Sequence, residues 1–198
     1  MTNKTIIGVD EVGRGCIAGD LVVCAYAFNP KAKPENLSEA RGLASDSKSF
    51  STRARREAGI SRLRAAGIFF FARRTPEEID RMNIRAATLA AMREAAEAVR
   101  ENLGFQAPVI VDGRDIPEGL EEPVESCIKG DAKIPEIAAA SMLAKVARDL
   151  EMVTLAESHP GYGFETHAGY GTAAHRAAIA RLGLSPIHRS WARKFASP

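Results

Sequence analysis

The sequence predicts a mixed α/β fold in which one sheet is flanked by helices, with a small helical region at the C-terminal end. Three strand-like stretches come early in the chain and are followed by a helix, further strands and several helices. That order is typical of a mixed sheet with helices packed on it. The 198 residues, 45% of them hydrophobic, suffice for one domain with its own core, and no repeat or linker divides them.

The first two predicted strands flank a glycine-rich link. Residues 5–10 and residues 20–28 are short apolar runs rich in β-branched side chains, as expected for strands. Gly13, Gly15 and Gly19 lie in the short segment between them. We therefore expect the two strands to form an antiparallel hairpin.

The next stretch predicts a loop, a basic helix and a third strand. Prolines near residue 30 indicate a loop that continues through an Asp-Ser-Lys sequence at residues 46–48. Ser51 or Thr52 can cap a helix over residues 53–65. A glycine ends that helix before an apolar strand at residues 68–72.

The second half of the chain predicts helices alternating with short strands. Thr75 is followed by proline and two glutamates, which indicates the capped start of a long helix over residues 75–103. Residues 109–113 read Val-Ile-Val-Asp-Gly, a buried strand that ends in a carboxylate. The remaining predicted elements are a weaker strand at 124–128, an alanine-rich helix from Pro135 to about residue 156, and shorter helices near 172–182 and 186–195.

Composition excludes several classes of protein. The 27 basic and 25 acidic residues nearly balance, so any surface for nucleic acid must come from local segregation of charge. The three cysteines form no CxxC pair, which argues against a disulfide framework or a zinc knuckle and favours a reducing cytoplasm. No apolar run approaches the roughly 18 residues that a membrane span needs. We therefore expect a cytoplasmic protein, monomeric and without a membrane partner.

Acidic residues follow apolar strands at several places. Asp10 and Glu11 end the first strand, Asp112 ends a later one, and Asp131 follows the next apolar stretch. Each alone has an ordinary explanation: Asp10 and Asp112 can form turns, Glu11 can be solvated, and Asp131 can flank a helix. Open α/β sheets place ligands at the ends of their strands, so together these acids indicate a site.

Carboxylates brought together would repel one another unless cations neutralise them. Oxygen ligands select Mg²⁺ or Mn²⁺ over zinc, and two such ions roughly 4 Å apart can support phosphodiester hydrolysis. Asp10 and Glu11 are adjacent, and adjacent side chains of a regular strand point to opposite faces. Both serve one ion only if the strand bends or if Glu11 contributes its backbone carbonyl.

Several short sequences, spread in order over nearly the whole chain, carry a family resemblance. They are Gly8-Val9-Asp10-Glu11-Val12-Gly13-Arg14-Gly15, Asp46-Ser47-Lys48, Val111-Asp112-Gly113, Lys129-Gly130-Asp131, Ala138-Ala139-Ala140-Ser141 with Ala144-Lys145-Val146 and Arg148-Asp149, and His167-Ala168-Gly169-Tyr170-Gly171-Thr172. As an ordered set they closely resemble bacterial ribonuclease HII, the type 2 ribonuclease H. That family nicks RNA within RNA/DNA hybrids and single ribonucleotides embedded in duplex DNA.

The resemblance implies a ribonuclease H-like fold and assigns roles to individual residues. It makes the four acids, Asp10, Glu11, Asp112 and Asp131, the ligands of Mg²⁺ or Mn²⁺. It implies that a substrate-binding loop senses the ribose 2′-hydroxyl, that a tyrosine recognises the junction between ribonucleotide and deoxyribonucleotide, and that a lysine lies near the nucleic-acid backbone. The loop is Gly13, Arg14 and Gly15, the tyrosine is Tyr170, and the lysine is Lys48. The implied cut is 5′ to the ribonucleotide and leaves 3′-hydroxyl and 5′-phosphate ends.

Other polar residues in or near the matching sequences receive weaker assignments. Lys145 and Arg148 are candidate phosphate contacts, whereas Ser141 lies among small residues that indicate close packing of helix on sheet. His167 and His188 have no helical metal-binding spacing, so we expect hydrogen-bonding or surface roles for them. We expect residues from about 157 onward to form a helical substrate-binding region of the same domain.

Three other interpretations remain open at this stage. A type 3 ribonuclease H shares the metal chemistry but usually carries an extra N-terminal substrate-binding domain, whereas here the first catalytic strand starts close to Met1. A Mg²⁺-dependent phosphatase or other phosphoryl transferase would act on small phosphate esters. A catalytically silent nucleic-acid-binding module would use the basic helix at 53–65 and the C-terminal arginines.

Overall fold

A five-stranded mixed sheet organises the chain, which the computed structural model describes over residues 5–45 and 53–196. The strand order is β3-β2-β1-β4-β5. The first three strands pair antiparallel, whereas β4 lies parallel to both β1 and β5. The predicted α/β class and the predicted hairpin are confirmed. The strands are β1 (Ile7–Val12), β2 (Leu21–Phe28), β3 (Gly67–Arg74), β4 (Val109–Asp112) and β5 (Val124–Cys127).

Helices cover both faces of this sheet. Among the described residues they are α1 (Pro34–Ser45), α2 (Arg53–Ala66), α3 (Pro76–Met82), α4 (Ile84–Leu103), α5 (Pro135–Ser158), α6 (Phe164–His167) and α7 (Ala173–Leu182). Short 3-10 helices add Gly130–Ala132 and Ser190–Phe195. The basic helix expected at 53–65 is confirmed as α2, while Ser51 and Thr52, its expected caps, lie outside the described residues.

Helix α1 occupies a stretch for which the sequence predicted a loop, and that prediction was wrong. Pro34 is the first residue of α1, a position where proline fits because the first turn of a helix needs no backbone donor there. Ala40 and Ala44 are buried in the same core cluster as residues of α2 and α5, and Leu37 packs against it. The helix therefore forms through its tertiary packing, which the prolines obscured.

The long helix expected at 75–103 is divided in two at Asn83. The predicted cap is present, because Thr75 and Glu78 form a reciprocal capping box at the start of α3. Asn83 then adopts a φ of 69°, which ends α3, and its side chain accepts a hydrogen bond from the N–H of Ala86 to start α4. Asparagine is among the few residues that tolerate a positive φ, so it can serve both helices.

The C-terminal region differs from expectation in two places. The short helix α6 was not predicted, and the helix expected at 186–195 is confined to a 3-10 helix from Ser190 to Phe195. Just before it, residue 188 forms an isolated antiparallel bridge with Ala18. The end of the chain thus returns to the link between β1 and β2.

Two core clusters, one on each face of the sheet, hold the layers together. Strand β2 is buried over its whole length, so alternate side chains serve opposite faces. Val23, Ala25 and Ala27 join the α4 side, and Val22, Cys24, Tyr26 and Phe28 join the side covered by α1, α2 and α5. An all-buried strand of this kind explains the continuous apolar run in its sequence.

Helix α5 approaches β1 very closely at Gly8. A Cβ atom at this position would lie 2.3 Å from the backbone carbonyl carbon of Glu136 and from the backbone nitrogen of Ile137. Only glycine leaves room for such an approach. The first turn of α5 is thereby held directly against the central strand.

The C-terminal region has its own small core around Phe164. All four histidines of the chain have their rings within 6.4 Å of the Phe164 ring, centroid to centroid: His159, His167, His175 and His188. The rings of His167 and His175 are stacked 4.2 Å apart. His175 is completely buried, and burial lowers its pKa from 6.5 to about 4. The His175 ring is therefore neutral near pH 7.

Among the described residues, no helix is long and apolar enough to cross a membrane.

Burial of neutral His175 predicts a loss of stability in mild acid. In the window between pH 6.5 and about 4 the unfolded chain binds a proton on this ring that the folded chain does not, so the free energy of unfolding falls as the pH falls. The contribution is at most ~3 kcal/mol. Thermal unfolding should show a larger drop between pH 7 and pH 4.5 for the wild type than for His175→Asn. His159→Gln should keep the wild-type pH dependence, and equal drops for wild type and His175→Asn would contradict the prediction.

Candidate active site

Asp10 lies near the end of β1 on the face covered by α5. It pairs across the sheet with Cys24, and only 7% of its surface is exposed. Its carboxylate accepts a hydrogen bond of 2.7 Å from the N–H of Glu11 and another from the hydroxyl of Ser141 on α5. Burial raises the pKa of Asp10 to about 7, against the opposing effect of the Ser141 hydrogen bond. The neighbouring carboxylates of Glu11 and Asp112 raise it further.

Asp112 is the last residue of β4, the strand parallel to β1. The register pairs Val9 with Val111, so the side chains of Asp10 and Asp112 leave neighbouring strands on the same face. One oxygen of Asp112 accepts a hydrogen bond of 2.6 Å from the N–H of Gly130. The charge of Asp112 raises the pKa of both Asp10 and Glu11, so the three acids interact electrostatically.

The side chain of Glu11 leaves β1 on the opposite face of the sheet from that of Asp10. Strand β1 continues through Val12 in regular pairing with β2, so the bend that would turn both adjacent acids to one side is absent from the described strand. The Glu11 carboxylate lies 3.7 Å from the guanidinium of Arg14. Burial raises the pKa of Glu11, and Arg14 partly offsets that effect.

Asp131 lies in the 3-10 turn that follows β5. It is exposed, and its side chain has no hydrogen bond or ion pair with the residues that the structure describes. Its neighbour Gly130 donates to Asp112, so the turn itself is tied to the end of β4. Within residues 5–45 and 53–196, no three His, Cys, Asp or Glu side chains are grouped closely enough to hold a metal ion as they stand.

The residues present nevertheless fit a hard divalent cation. Asp10 and Asp112 offer oxygen ligands, and within the described part of the chain neither forms an ion pair with lysine or arginine. A buried acid with a raised pKa and acidic neighbours is stabilised as an anion when a cation binds. Mg²⁺ and Mn²⁺ prefer this type of ligand.

The Gly-Arg-Gly loop at residues 13–15 begins next to these acids. Gly13 has a φ of 87°, and a Cβ there would contact the guanidinium of Arg148 at 2.8 Å. Arg14 and Gly15 are exposed, and a Cβ on Gly15 would meet no other atom within 4 Å. The loop therefore presents backbone and the Arg14 side chain to solvent beside the carboxylates.

Two buried arginines bind the backbone of the segment that follows this loop. Arg189 donates to the carbonyl oxygens of Cys16 and Gly19, at 3.0 and 2.9 Å, and to that of Arg14 at 3.3 Å. Arg148 donates to the carbonyl oxygens of Ala18, Asp20 and Ala168. Both arginines are completely buried. The expectation that Arg148 contacts phosphate was wrong, because the helix directs this guanidinium into the protein.

Tyr170 lies in a loop that contacts the segment after Gly15. Its ring is 42% exposed, and its hydroxyl hydrogen-bonds the thiol of Cys16, the residue after Gly15. Lys145 of α5 lies 5.9 Å from the ring centroid and pairs with Asp149. A pocket of about 470 Å³ opens beside Tyr170 between α5 and α6.

Direct backbone contacts join the two loops. The N–H of Ile17 donates to the carbonyl of Gly169 at 2.9 Å. Gly169 has a φ of 81°, and a Cβ there would lie 2.4 Å from the carbonyl oxygen of Ala18. The structure therefore brings residues 13–15 and Tyr170 to one side of the molecule, as the resemblance implied. Lys48 lies outside the described residues.

Sequence reasoning missed two side chains that shape this site. Ser141 was assigned to packing, yet it donates a hydrogen bond to Asp10. Arg189 received no role, although it binds three carbonyl oxygens of residues 14–19. A polar residue within an otherwise apolar helix face was the available signal for Ser141. No local pattern marks Arg189, because the carbonyl oxygens that it binds lie at the other end of the chain.

Comparison with known proteins gives one consistent family. The family model described as Ribonuclease HII matches residues 7–196. Ribonuclease HII of Ruegeria pomeroyi is 45% identical over 184 residues, covering 93% of this chain and 74% of the relative. Ribonuclease HII of Halorhodospira halophila is 44% identical and covers 93% of this chain and 89% of the relative.

Solved structures share the fold. The ribonuclease HII chain in the complex of PCNA and ribonuclease HII from Archaeoglobus fulgidus superposes with a TM-score of 0.74 at 27% identity, covering 94% of each chain. Ribonuclease H2 of Pyrococcus horikoshii gives a TM-score of 0.73 at 26% identity, with 96% of each chain covered.

The contact between the two loops predicts that Gly169 is intolerant of any side chain. Gly169→Ala should lower the free energy of unfolding by about 2–4 kcal/mol, because its φ is unfavourable for alanine and the new Cβ meets the backbone of Ala18. Gly171→Ala is the matched control, since its Cβ would make only ordinary contact, at 3.4 Å, with the Ile17 side chain. Chemical denaturation measures both, and equal losses would refute the close-contact explanation.

Proposed function

The chain belongs to the ribonuclease HII family, and on that premise we propose that Asp10, Glu11, Asp112 and Asp131 hold the cations of its active site. The protein is a metal-dependent type 2 ribonuclease H, an endonuclease that acts on the RNA strand of RNA/DNA hybrids. The observation that best supports this site is the buried Asp10, coupled to Asp112 on the next strand and to Glu11.

The four acids divide into three kinds of ligand by their positions. Asp10 and Asp112 share one face of the sheet, and hydrogen bonds from Ser141 and Gly130 fix their carboxylates. Asp131 is exposed next to Gly130, whose N–H binds Asp112, so it is a ligand from the turn that adjoins the end of β4. For Glu11 the regular course of β1 favours a contribution from its backbone carbonyl, with the side chain held near Arg14.

The protein residues prepare the site for phosphodiester hydrolysis. When bound, divalent cations supply Lewis-acid stabilisation of the transferring phosphoryl group and lower the pKa of the attacking water. Ser141 orients the Asp10 carboxylate, and the surrounding core excludes water from its buried side. We assign to Arg14, which is exposed and lies 3.7 Å from the Glu11 carboxylate, the pairing with a phosphate of the cut strand. We propose a cut that leaves 3′-hydroxyl and 5′-phosphate ends.

We assign recognition of the ribonucleotide to the two adjoining loops. The 2′-hydroxyl alone distinguishes RNA from DNA at one nucleotide, and it both donates and accepts hydrogen bonds. Backbone groups of residues 13–15 can read it without reading a base, and the exposed Tyr170 ring can stack on the neighbouring sugar. This arrangement supports nicking 5′ to a single ribonucleotide in duplex DNA as well as cutting within longer hybrids.

Further proposals concern the C-terminal region, Lys48, the cellular compartment, the oligomeric state and the metal ion. Residues from about 157 onward contribute Tyr170 and one side of the pocket beside it, whose other side is α5, and this supports their role as a substrate-binding region. Lys48 is proposed to contact the nucleic-acid backbone. We further propose a cytoplasmic monomer, in keeping with three free cysteines, that uses Mg²⁺ or Mn²⁺.

A panel of labelled substrates tests the proposed function. The substrates are duplex DNA with one ribonucleotide, a long RNA/DNA hybrid, an all-DNA duplex and a small phosphate monoester. Each is tested with Mg²⁺, with Mn²⁺ and with a chelator. We expect metal-dependent nicks only in the strands that contain ribonucleotides, on the 5′ side of the single ribonucleotide. Tyr170→Ala should reduce cleavage at the single ribonucleotide more than cleavage of the hybrid. Hydrolysis of the monoester alone would instead identify a phosphatase.

Removal of one carboxylate tests the metal site. Asp10→Asn should still bind the duplex but lose nicking by at least about 100-fold in either metal, because the amide cannot supply the same negative oxygen ligand. Glu97→Gln is a suitable control, since this carboxylate is half-exposed on α4 and pairs with Arg93. Gel-shift and single-turnover cleavage assays measure the two properties separately. Undiminished cleavage by Asp10→Asn would remove it from the site.

A further inference from the structure

A three-residue segment near the C-terminal end, residues 187–189, pairs with the link between β1 and β2. The carbonyl of Ile187 accepts from the N–H of Gly19, and the N–H of Arg189 donates to the carbonyl of Ile17, both at 2.9 Å. These bonds form the bridge between residue 188 and Ala18. The segment is thus fixed to the link between β1 and β2 by its own backbone.

Adjacent side chains of this extended segment contact different elements, the link between β1 and β2 and helix α7. Arg189 binds the carbonyl oxygens of Arg14, Cys16 and Gly19. His188, its neighbour, instead makes a hydrogen bond of 3.0 Å between its Nε2 atom and the Nε2 atom of His175. His175 is completely buried and His188 nearly so. Each group therefore depends on the partners it has inside the protein.

The hydrogen bonds define which nitrogen of each ring carries the proton. Nδ1 of His188 lies 2.9 Å from the N–H of Ser185 and 2.8 Å from its hydroxyl, so it accepts. In the neutral ring Nε2 is then the donor, and it donates to Nε2 of His175. The proton of His175 is consequently on Nδ1, which lies 2.9 Å from the carbonyl oxygen of Tyr170. Ser185 is thus connected to Tyr170 by a chain of hydrogen bonds, in which each neutral histidine ring accepts from one neighbour and donates to the next.

We propose that residues 187–189 are a positioning element for substrate discrimination, which holds Tyr170 through His188 and His175 and holds the Gly-Arg-Gly loop through Arg189. The proposal rests on the proposed roles of Tyr170 and residues 13–15. A ribose is read by both loops at once, so their separation must match one nucleotide, and hydrogen-bond recognition tolerates errors of only about 0.5 Å. His175 and His188 act through Tyr170 and do not themselves touch the substrate.

A double-mutant cycle between His175 and Tyr170 tests this coupling. The readout is the ratio of kcat/KM for duplex DNA with one ribonucleotide to kcat/KM for a long RNA/DNA hybrid. His175→Leu keeps the apolar packing but loses the donor to Tyr170, and it should lower the ratio about three- to tenfold. In a Tyr170→Ala background the same change should have no further effect, because the group that it positions is gone.

Two further variants separate positioning from general packing. His175→Asn places an amide donor near the position of Nδ1 and should restore most of the ratio. His159→Leu alters another histidine on the Phe164 ring, one whose Nδ1 atom faces the carbonyl of Leu155, and it should leave the ratio at the wild-type value. If His175→Leu does not fold, His188→Leu, which removes the donor to Nε2 of His175 and leaves His175 in place, takes its place in the cycle and should lower the ratio.

The outcomes are distinguishable from failure of the proposed function. Wild-type protein that cleaves neither ribonucleotide substrate would refute the function itself. Cleavage with independent, multiplying effects of His175→Leu and Tyr170→Ala would overturn the positioning role. An equal fall of the ratio in His159→Leu would also overturn it, since any disturbance of the Phe164 core would then have the same consequence.

Discussion

The close packing of α5 against β1 is the constraint on which the site depends. At Gly8 the helix backbone lies against the strand backbone, which leaves no freedom to slide or tilt. From that contact α5 runs on toward the end of the strand, so Ser141 reaches Asp10 and Arg148 reaches the segment beyond it. One helix therefore fixes both an acid and the loop next to it.

The link between β1 and β2 is held in an unusual way, by guanidinium groups bound to carbonyl oxygens. Buried peptide groups need hydrogen-bond partners, and a glycine-rich link makes few of its own. An arginine brings five donors in a rigid plane and can bind several carbonyls at once. Burial and the neighbouring Arg148 lower the pKa of Arg189 to about 10, so it remains charged near pH 7. The desolvation of two cations is the cost of a loop with one conformation.

Much of the fold follows from local patterns in the sequence. The apolar runs of β1, β2 and β4, the capping sequence at Thr75 and the alanine-rich α5 all formed near their expected positions. Helix α1 was missed, because prolines near residue 30 indicated a loop while its stabilising contacts come from distant helices. The break at Asn83 was missed because a positive φ has no signature in an otherwise helical pattern.

The candidate site was predictable in part. Strand ends carrying acids indicated a metal site, and the pairing of β1 with β4 explains why Asp10 and Asp112 meet. The roles of Ser141 and Arg189 depend on contacts between remote parts of the chain, which no local spacing encodes.

Those remote contacts also determine when, during synthesis, the link between β1 and β2 can receive all its hydrogen bonds. Arg189 and Gly19, which it binds, are separated by 170 positions in the chain. All five strands and the four acids precede residues 187–189 in the chain, so they leave the ribosome earlier during synthesis. The link between β1 and β2 receives the hydrogen bonds of Arg189 only when residues 187–189 emerge. The order of synthesis therefore delivers the acids of the strand ends first and the last contacts of the neighbouring link at the end.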